Sequence, residues 1–136
     1  MYIDASEIDR DKVVEADVCI IGGGAVGITM GRELVETGLE VVLLESGALK
    51  FDQPTQDLYA GVESGTLLGP DTEYLTETRN RYYGGTTNTW NGWCRPLDPE
   101  DLQVRDWVED SGWPIEQKEM QAFHRRAARV VQITPF

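Results

Sequence analysis

Three glycines at fixed spacing, and an acid downstream of them, carry the most legible chemistry in this 136-residue sequence. In Gly22-Gly23-Gly24-Ala25-Val26-Gly27 the informative positions are Gly22, Gly24 and Gly27. The first lets the chain turn tightly, the second lets the backbone approach a pyrophosphate, and the third lets a following helix pack closely on the preceding strand. That helix, with Ala25 and Val26 in its opening turn, would point free N–H groups and its positive end at phosphate oxygens. Glu45, followed by Ser46, lies about 20 residues further on, where a carboxylate accepts hydrogen bonds from the adenosine ribose hydroxyls. A 2′-phosphate placed against this acid would be repelled, so NADP is disfavoured, whereas NAD and FAD are not separated. A glycine-rich turn with no ligand is the bland alternative. The flanking strand and helix patterns argue against it.

A second cluster runs from Arg79 to Trp93, with sequence Arg-Asn-Arg-Tyr-Tyr-Gly-Gly-Thr-Thr-Asn-Thr-Trp-Asn-Gly-Trp. Its glycines, Gly84, Gly85 and Gly92, permit close backbone approach. Thr86, Asn88 and Thr89 offer hydrogen bonds, and Trp90 offers flat apolar area. Such a loop suits a polar aromatic ligand, or equally a tight turn in a large protein. Other reactive side chains are sparse. Cys19 and Cys94 stand far apart with no CxxC pair, and His124 is the single histidine, so neither a disulfide framework nor a metal site is expected.

The elements that must position these groups follow from periodicity. Ala16 to Ile21 is a short, β-branched apolar run, the pattern of a buried parallel strand. From Ala25 to Thr37 the apolar residues Val26, Met30, Leu34 and Val35 recur at helical spacing, with Gly38 as the stop. Glu40 to Glu45 forms a second strand, and strand, helix and strand together make a right-handed βαβ unit. Leu49 to Arg81 reads as a long irregular excursion with one short helical turn, and Asp98 opens a helix start. Ile115 to Ile133 is a helix whose apolar stripe is Met120, Phe123, Ala127, Val130 and Val131. Acids from Glu116 to Glu119 load its first turn, while Arg125, Arg126 and Arg129 follow the dipole. His124 sits beside the stripe as a surface or boundary residue. The fold class is α/β, a Rossmann-type FAD/NAD(P)-binding fold that is incomplete. Residues 1–15 are expected to form an extension, and a family resemblance carried by residues further along implies that 16–136 are the amino-terminal portion of an FAD-binding domain without its substrate domain.

A composition of 40% hydrophobic and 26% charged residues is that of an ordinary soluble protein. A net charge of −12 argues against nucleic-acid or anionic-membrane partners, which reward clustered positive charge. No secretory signal precedes the first strand, and no apolar run approaches the roughly 18 residues of a membrane span. A cytoplasmic location is expected, in keeping with the unpaired cysteines.

Coming after a dinucleotide fold, Gly84-Gly85-Thr86-Thr87-Asn88-Thr89-Trp90 and the later Ser111-Gly112-Trp113-Pro114-Ile115 resemble the glucose-methanol-choline oxidoreductase superfamily. The likeness is nearest to the pyranose oxidase branch and related bacterial sugar oxidases, and it covers about Ala16 to Val131. It implies that Gly22, Gly24 and Gly27 hold the FAD pyrophosphate, Glu45 the adenosine ribose, and Gly84 to Gly92 the isoalloxazine and ribityl side. Where fungal pyranose oxidases carry a flavin-linked histidine before the loop tryptophan, this chain has Thr89, so the FAD is expected to be noncovalent. The resemblance further implies oxidation of a CH–OH group of a sugar, polyol or other alcohol, with oxygen or another electron acceptor. Superfamily members are several times longer and place their catalytic pair toward the carboxyl end. The expectation is therefore a piece of a longer enzyme, or one chain of a split one, with no catalytic residue among these positions. Two alternatives stay open: a noncatalytic nucleotide-binding subunit of a split enzyme, and a fragment of an NAD-dependent oxidoreductase.

Overall fold

Two four-residue strands, β1 (Val18–Ile21) and β2 (Val41–Leu44), pair in parallel with Ile20 opposite Leu43. Their amino ends are tied by Asp17, whose carboxylate accepts from the Glu40 N–H at 2.8 Å while its own N–H donates to the Glu40 carbonyl at 2.9 Å. The helix α1 (Ala25–Leu34) makes the crossover between them. It ends where Thr37 closes on the Leu34 carbonyl through both its N–H and its hydroxyl, and Gly38 then takes a φ of 79°. The computed structural model describes residues 1–62, 64–65 and 73–134. They form two units, Met1–Thr89 and Trp90–Phe136.

Two expectations about this βαβ unit need correction. The strand pattern predicts burial on both faces, yet only Ile20 of β1 is buried, while Ile21 is 86% exposed and Leu44 53% exposed. Successive strand residues point to opposite faces, and α1 covers only the face that carries Ile20. The helix stripe is also differently placed, since Val26, Met30 and Val35 are exposed. The face of α1 turned to the sheet is glycine: Ile20 packs against Gly27 and Gly31. Apolar spacing misplaces this face because glycine, which has no side chain to bury, is what allows the close approach.

The excursion after β2 holds more helix than its sequence suggests. A short helix α2 (Gln53–Gln56) runs into a 3-10 turn at Asp57–Tyr59, and α3 (Tyr74–Glu77) follows. Residues 63 and 66–72 lie outside the described residues. Asp52 caps α2, accepting from the Thr55 N–H at 3.0 Å and its hydroxyl at 2.7 Å. These bonds, the hydroxyl's first, hold the Asp52 carboxyl below its usual range, so the cap persists at neutral pH and is lost as the carboxylate protonates. Gln56, at the end of α2, is only 4% exposed. Its amide donates to the carbonyls of Thr76 and Arg79, each at 2.6 Å, and its oxygen accepts the Arg81 N–H at 2.9 Å. The guanidinium groups of Arg79 and Arg81 stack over Tyr59 at 5.8 and 5.0 Å, which fastens the same segment to the 3-10 turn.

In the second unit, α4 (Pro99–Leu102) starts with Asp98, whose N–H donates to the Asp101 carboxylate at 3.0 Å. Ser111 bridges the Arg105 backbone, accepting its N–H at 2.8 Å and donating to its carbonyl at 3.1 Å. Gly112 then adopts a φ of 94° against Val104. The last helix, α5 (Gln117–Val130), opens with the Glu116 N–H on the Glu119 carboxylate at 2.8 Å. Its stripe also needs correction. Phe123 and Ala127 are exposed, whereas Ala128 is buried and Met120, His124, Val130 and Val131 are half-buried. The covered face thus keeps Met120, Val130 and Val131 of the expected stripe, with His124 and Ala128 in place of Phe123 and Ala127.

The glycine face makes a stability prediction. A Cβ at Gly27 would sit 2.0 Å from the Gly22 carbonyl oxygen, whereas one at Gly31 would meet only Ile20 Cδ1 at 3.9 Å. Gly27→Ala should cost roughly 1–3 kcal/mol, and Gly31→Ala should be neutral or gain up to about 1 kcal/mol from helix propensity. Urea unfolding of the full-length protein measures both; identical midpoints for the two variants would contradict the packing described.

Candidate functional site

The loop between β1 and α1 is built almost wholly from backbone. Gly22 leaves the strand with a φ of 104°, in the left-handed region that favours glycine. Its N–H donates to the Leu44 carbonyl at 2.7 Å, which extends the sheet ladder by one step. Gly24 is the cap residue of α1, and no side chain caps the helix there. The N–H groups of a helix's first turn have no intrahelical acceptor, and a Cβ on Gly24 would find nothing within 4 Å. Open space in front of an uncapped, ten-residue helix is what a pyrophosphate needs. Gly22 thus makes a turn, Gly24 faces open space, and Gly27 makes a close packing contact.

Glu45 follows β2 and turns back over this loop. One carboxylate oxygen accepts the Gly23 N–H at 2.6 Å, and the other accepts the Gly47 N–H at 2.8 Å and the Ser46 hydroxyl at 3.3 Å. The acid thus clamps the glycine loop to the end of β2 before any ligand is considered. A carboxylate offers about four lone-pair sites, so with these three donors engaged room remains for a ribose hydroxyl on the oxygen that accepts from Gly23.

The second glycine cluster comes to the first. The Gly84 N–H donates to the Gly23 carbonyl at 2.8 Å, and Gly24 and Gly84 form a parallel β-bridge. A Cβ on Gly85 would approach the Gly24 Cα at 3.3 Å. Upstream, the Tyr83 N–H donates to the Ala48 carbonyl at 2.9 Å. Gly84, with a φ of 94°, leads into a 3-10 turn at Gly85–Asn88. Asn88 pins that turn by donating to the carbonyls of Tyr83 and Gly85, each at 2.9 Å. Thr87 bonds to the Gly84 carbonyl. The Asn80 amide donates to the Thr89 hydroxyl at 2.7 Å, and the Asn80 N–H to the Thr86 hydroxyl at 3.3 Å. The hydroxyls of Thr86 and Thr89 are thus already engaged by the segment that precedes the turn.

Of the sequence-derived residues, Gly22, Gly24, Ala25, Val26, Gly27, Glu45, Ser46, Gly84, Gly85, Thr86, Asn88 and Thr89 lie in the first unit. Trp90 and Gly92 begin the second; Trp90 is exposed, and Gly92 has a φ of 71°. His124 belongs to that second unit as well. Sequence reasoning missed three residues. Gly23 supplies both a donor to Glu45 and an acceptor for Gly84. Gly47 must lack a side chain because a Cβ would sit 2.0 Å from the Arg81 carbonyl oxygen. Gln56 fixes the register of the segment that reaches the loop. The glycine after Glu45-Ser46 was the one visible signal; nothing local marks Gln56. Among the described residues no three His, Cys, Asp or Glu side chains gather as a metal would require, and no helix is long and apolar enough to cross a membrane. The site can bind and orient a dinucleotide through amides, a helix end and one acid.

Comparison with known proteins agrees with this geometry. Residues 15–64 match the family model described as the FAD binding domain. Uncharacterized GMC-type oxidoreductases of Mycobacterium tuberculosis, from strains CDC 1551 and H37Rv, are each 32% identical over 114 residues, which is 76% of this chain and 17% of theirs. A thiamine thiazole synthase of Methanococcus aeolicus is 39% identical over 64 residues, covering 47% of this chain and 24% of its own. No solved structure matches the chain. The chain therefore spans 17% of the length of the GMC-type relatives. It is similar to GMC-type oxidoreductases, and its first strand, glycine loop and Glu45 lie within a segment of the FAD binding domain type.

Proposed function

We propose that the chain is the FAD-gripping part of a flavin-dependent oxidoreductase that acts on CH–OH groups of a sugar, polyol or other alcohol. The observation that carries this reading is the seating of the Gly84-Gly85 turn on the Gly23-Gly24 backbone, since it joins a pyrophosphate loop to a second, hydroxyl-rich loop in one site. FAD fits that pair better than NAD because both glycine clusters then have a role, and the FAD binding domain match supports it. The open end of α1 would hold the pyrophosphate and Glu45 the adenosine ribose, and the family likeness assigns Gly84 to Gly92 to the ribityl and isoalloxazine side. A bound flavin would supply the acceptor for the hydride of the alcohol carbon. This chain's residues supply binding and orientation, while the base that takes the hydroxyl proton is supplied by the rest of the enzyme, in the same polypeptide or a second chain. The pyranose oxidase branch is the nearest likeness. Thr89 offers no nitrogen for a covalent bond, so the flavin is held noncovalently in a cytoplasmic enzyme whose acceptor is oxygen or another oxidant.

Three outcomes test the reading on the full-length protein. Purification should give a yellow protein, and acid precipitation should leave the colour in the supernatant; a colourless protein that binds NAD would overturn the flavin assignment. Gly24→Val fills the open space before the helix and should lower flavin content by at least about tenfold, whereas Cys94→Ser should leave it unchanged. Equal flavin in wild type and Gly24→Val would refute the pyrophosphate assignment. Glu45→Ala removes charge-assisted hydrogen bonds that are typically worth about 1.5–3 kcal/mol, so the FAD dissociation constant should rise by roughly ten- to a hundredfold, as read by flavin fluorescence titration.

A further inference from the structure

We propose that Gln56 is a positioning residue for the flavin half of the site, acting through the backbone of residues 76–84; the inference rests on the FAD reading above. Gln56 lies outside both glycine clusters, and its side chain is buried with every polar atom engaged. Burial of an amide is favourable only when its partners are in place, so its three bonds hold the carbonyls of Thr76 and Arg79 and the N–H of Arg81 in one arrangement. Downstream, the Arg81 carbonyl stands over Gly47, the Tyr83 N–H reaches the Ala48 carbonyl, and the Gly84 N–H reaches the Gly23 carbonyl. Arg81 is three residues from Gly84, too short a path in an extended chain to absorb a slip. A shift at Arg81 therefore moves the Gly84-Gly85 turn along the pyrophosphate loop.

The loop that would hold the ADP half depends on different contacts. Gly22 is tied to Leu44, and Gly23 and Gly47 are tied to Glu45. The hydrogen bonds of Gln56 go to Thr76, Arg79 and Arg81 instead. Loss of its hydrogen bonds should thus separate the two halves of the site, weakening the hold on the isoalloxazine and ribityl side and sparing the hold on ADP. A merely structural role would weaken both together.

The test uses the full-length protein stripped of flavin and titrated separately with ADP and with FAD. Gln56→Met keeps the length of the side chain and removes its hydrogen bonds. It should bind ADP within about twofold of wild type and FAD about tenfold more weakly, the loss of one to two net hydrogen bonds. Gln56→Leu, uncharged and of similar size, also removes all three hydrogen bonds and serves if the methionine variant does not fold; the same split is expected, with a similar FAD loss. Equal losses for ADP and FAD, or FAD binding unchanged in both variants, would overturn the role of Gln56 while leaving the FAD reading intact. A wild-type protein that binds ADP but not FAD would overturn the FAD reading and this inference with it.

Discussion

Backbone passing directly over backbone is the constraint on which the first unit depends. It happens at Gly27 over the Gly22 carbonyl, at Gly47 under the Arg81 carbonyl and at Gly85 against Gly24. A Cβ at either of the first two would lie 2.0 Å from a carbonyl oxygen, a distance no side-chain rotation relieves. Each contact sets one spacing: helix to strand, excursion to β2, second turn to first loop. The cost is conformational entropy, because glycine loses more freedom on folding than any other residue. Polar contacts offset it. Buried amides must find partners, and here Glu45 and Gln56 provide them from outside the glycine segments.

These two side chains divide the work. Glu45 faces the loop, is charged, and keeps acceptor capacity for a ligand. Gln56 is neutral and buried, and its bonds are all internal. A charge in the Gln56 position would meet two carbonyl oxygens with nothing to compensate it, whereas an amide presents donors to them and an acceptor to the Arg81 N–H. The apolar core contributes little by comparison, since Ile20 and Ala128 are the buried hydrophobic residues among those described. Order in the first unit rests on hydrogen-bonded backbone more than on packed side chains.

That balance explains what could be read in advance. The βαβ unit was legible because β-branched runs, a glycine stop and a glycine loop are local signals, and β1, α1 and β2 fall inside the predicted segments. The acidic first turn of α5 was legible through Glu116 and Glu119, but not that the Glu116 N–H would be capped by the Glu119 carboxylate. Helix faces were not. In α1 Val26 and Met30 are exposed while Gly27 and Gly31 meet Ile20, and in α5 His124 and Ala128 take the covered positions expected of Phe123 and Ala127. Periodicity locates side chains that seek burial and is blind to positions chosen for having none. Gln56 was illegible because its partners at Thr76, Arg79 and Arg81 are twenty or more residues distant, and no local pattern distinguishes an amide that will be buried from one left in water. The meeting of Gly84 with Gly23 was invisible likewise, although both clusters were conspicuous alone.

The clamp formed by Glu45 has a kinetic meaning. With Gly23 and Gly47 already held, the loop gives up little further conformational freedom when a ligand arrives, and ordering cost is a principal drain on affinity. A site prepared in this way forms its contacts on encounter, so differences among variants should be felt mainly as differences in how long the ligand stays. For a cofactor meant to remain through many turnovers, residence time is the property that matters, and a carboxylate bound to two loop amides sets it from the protein's side.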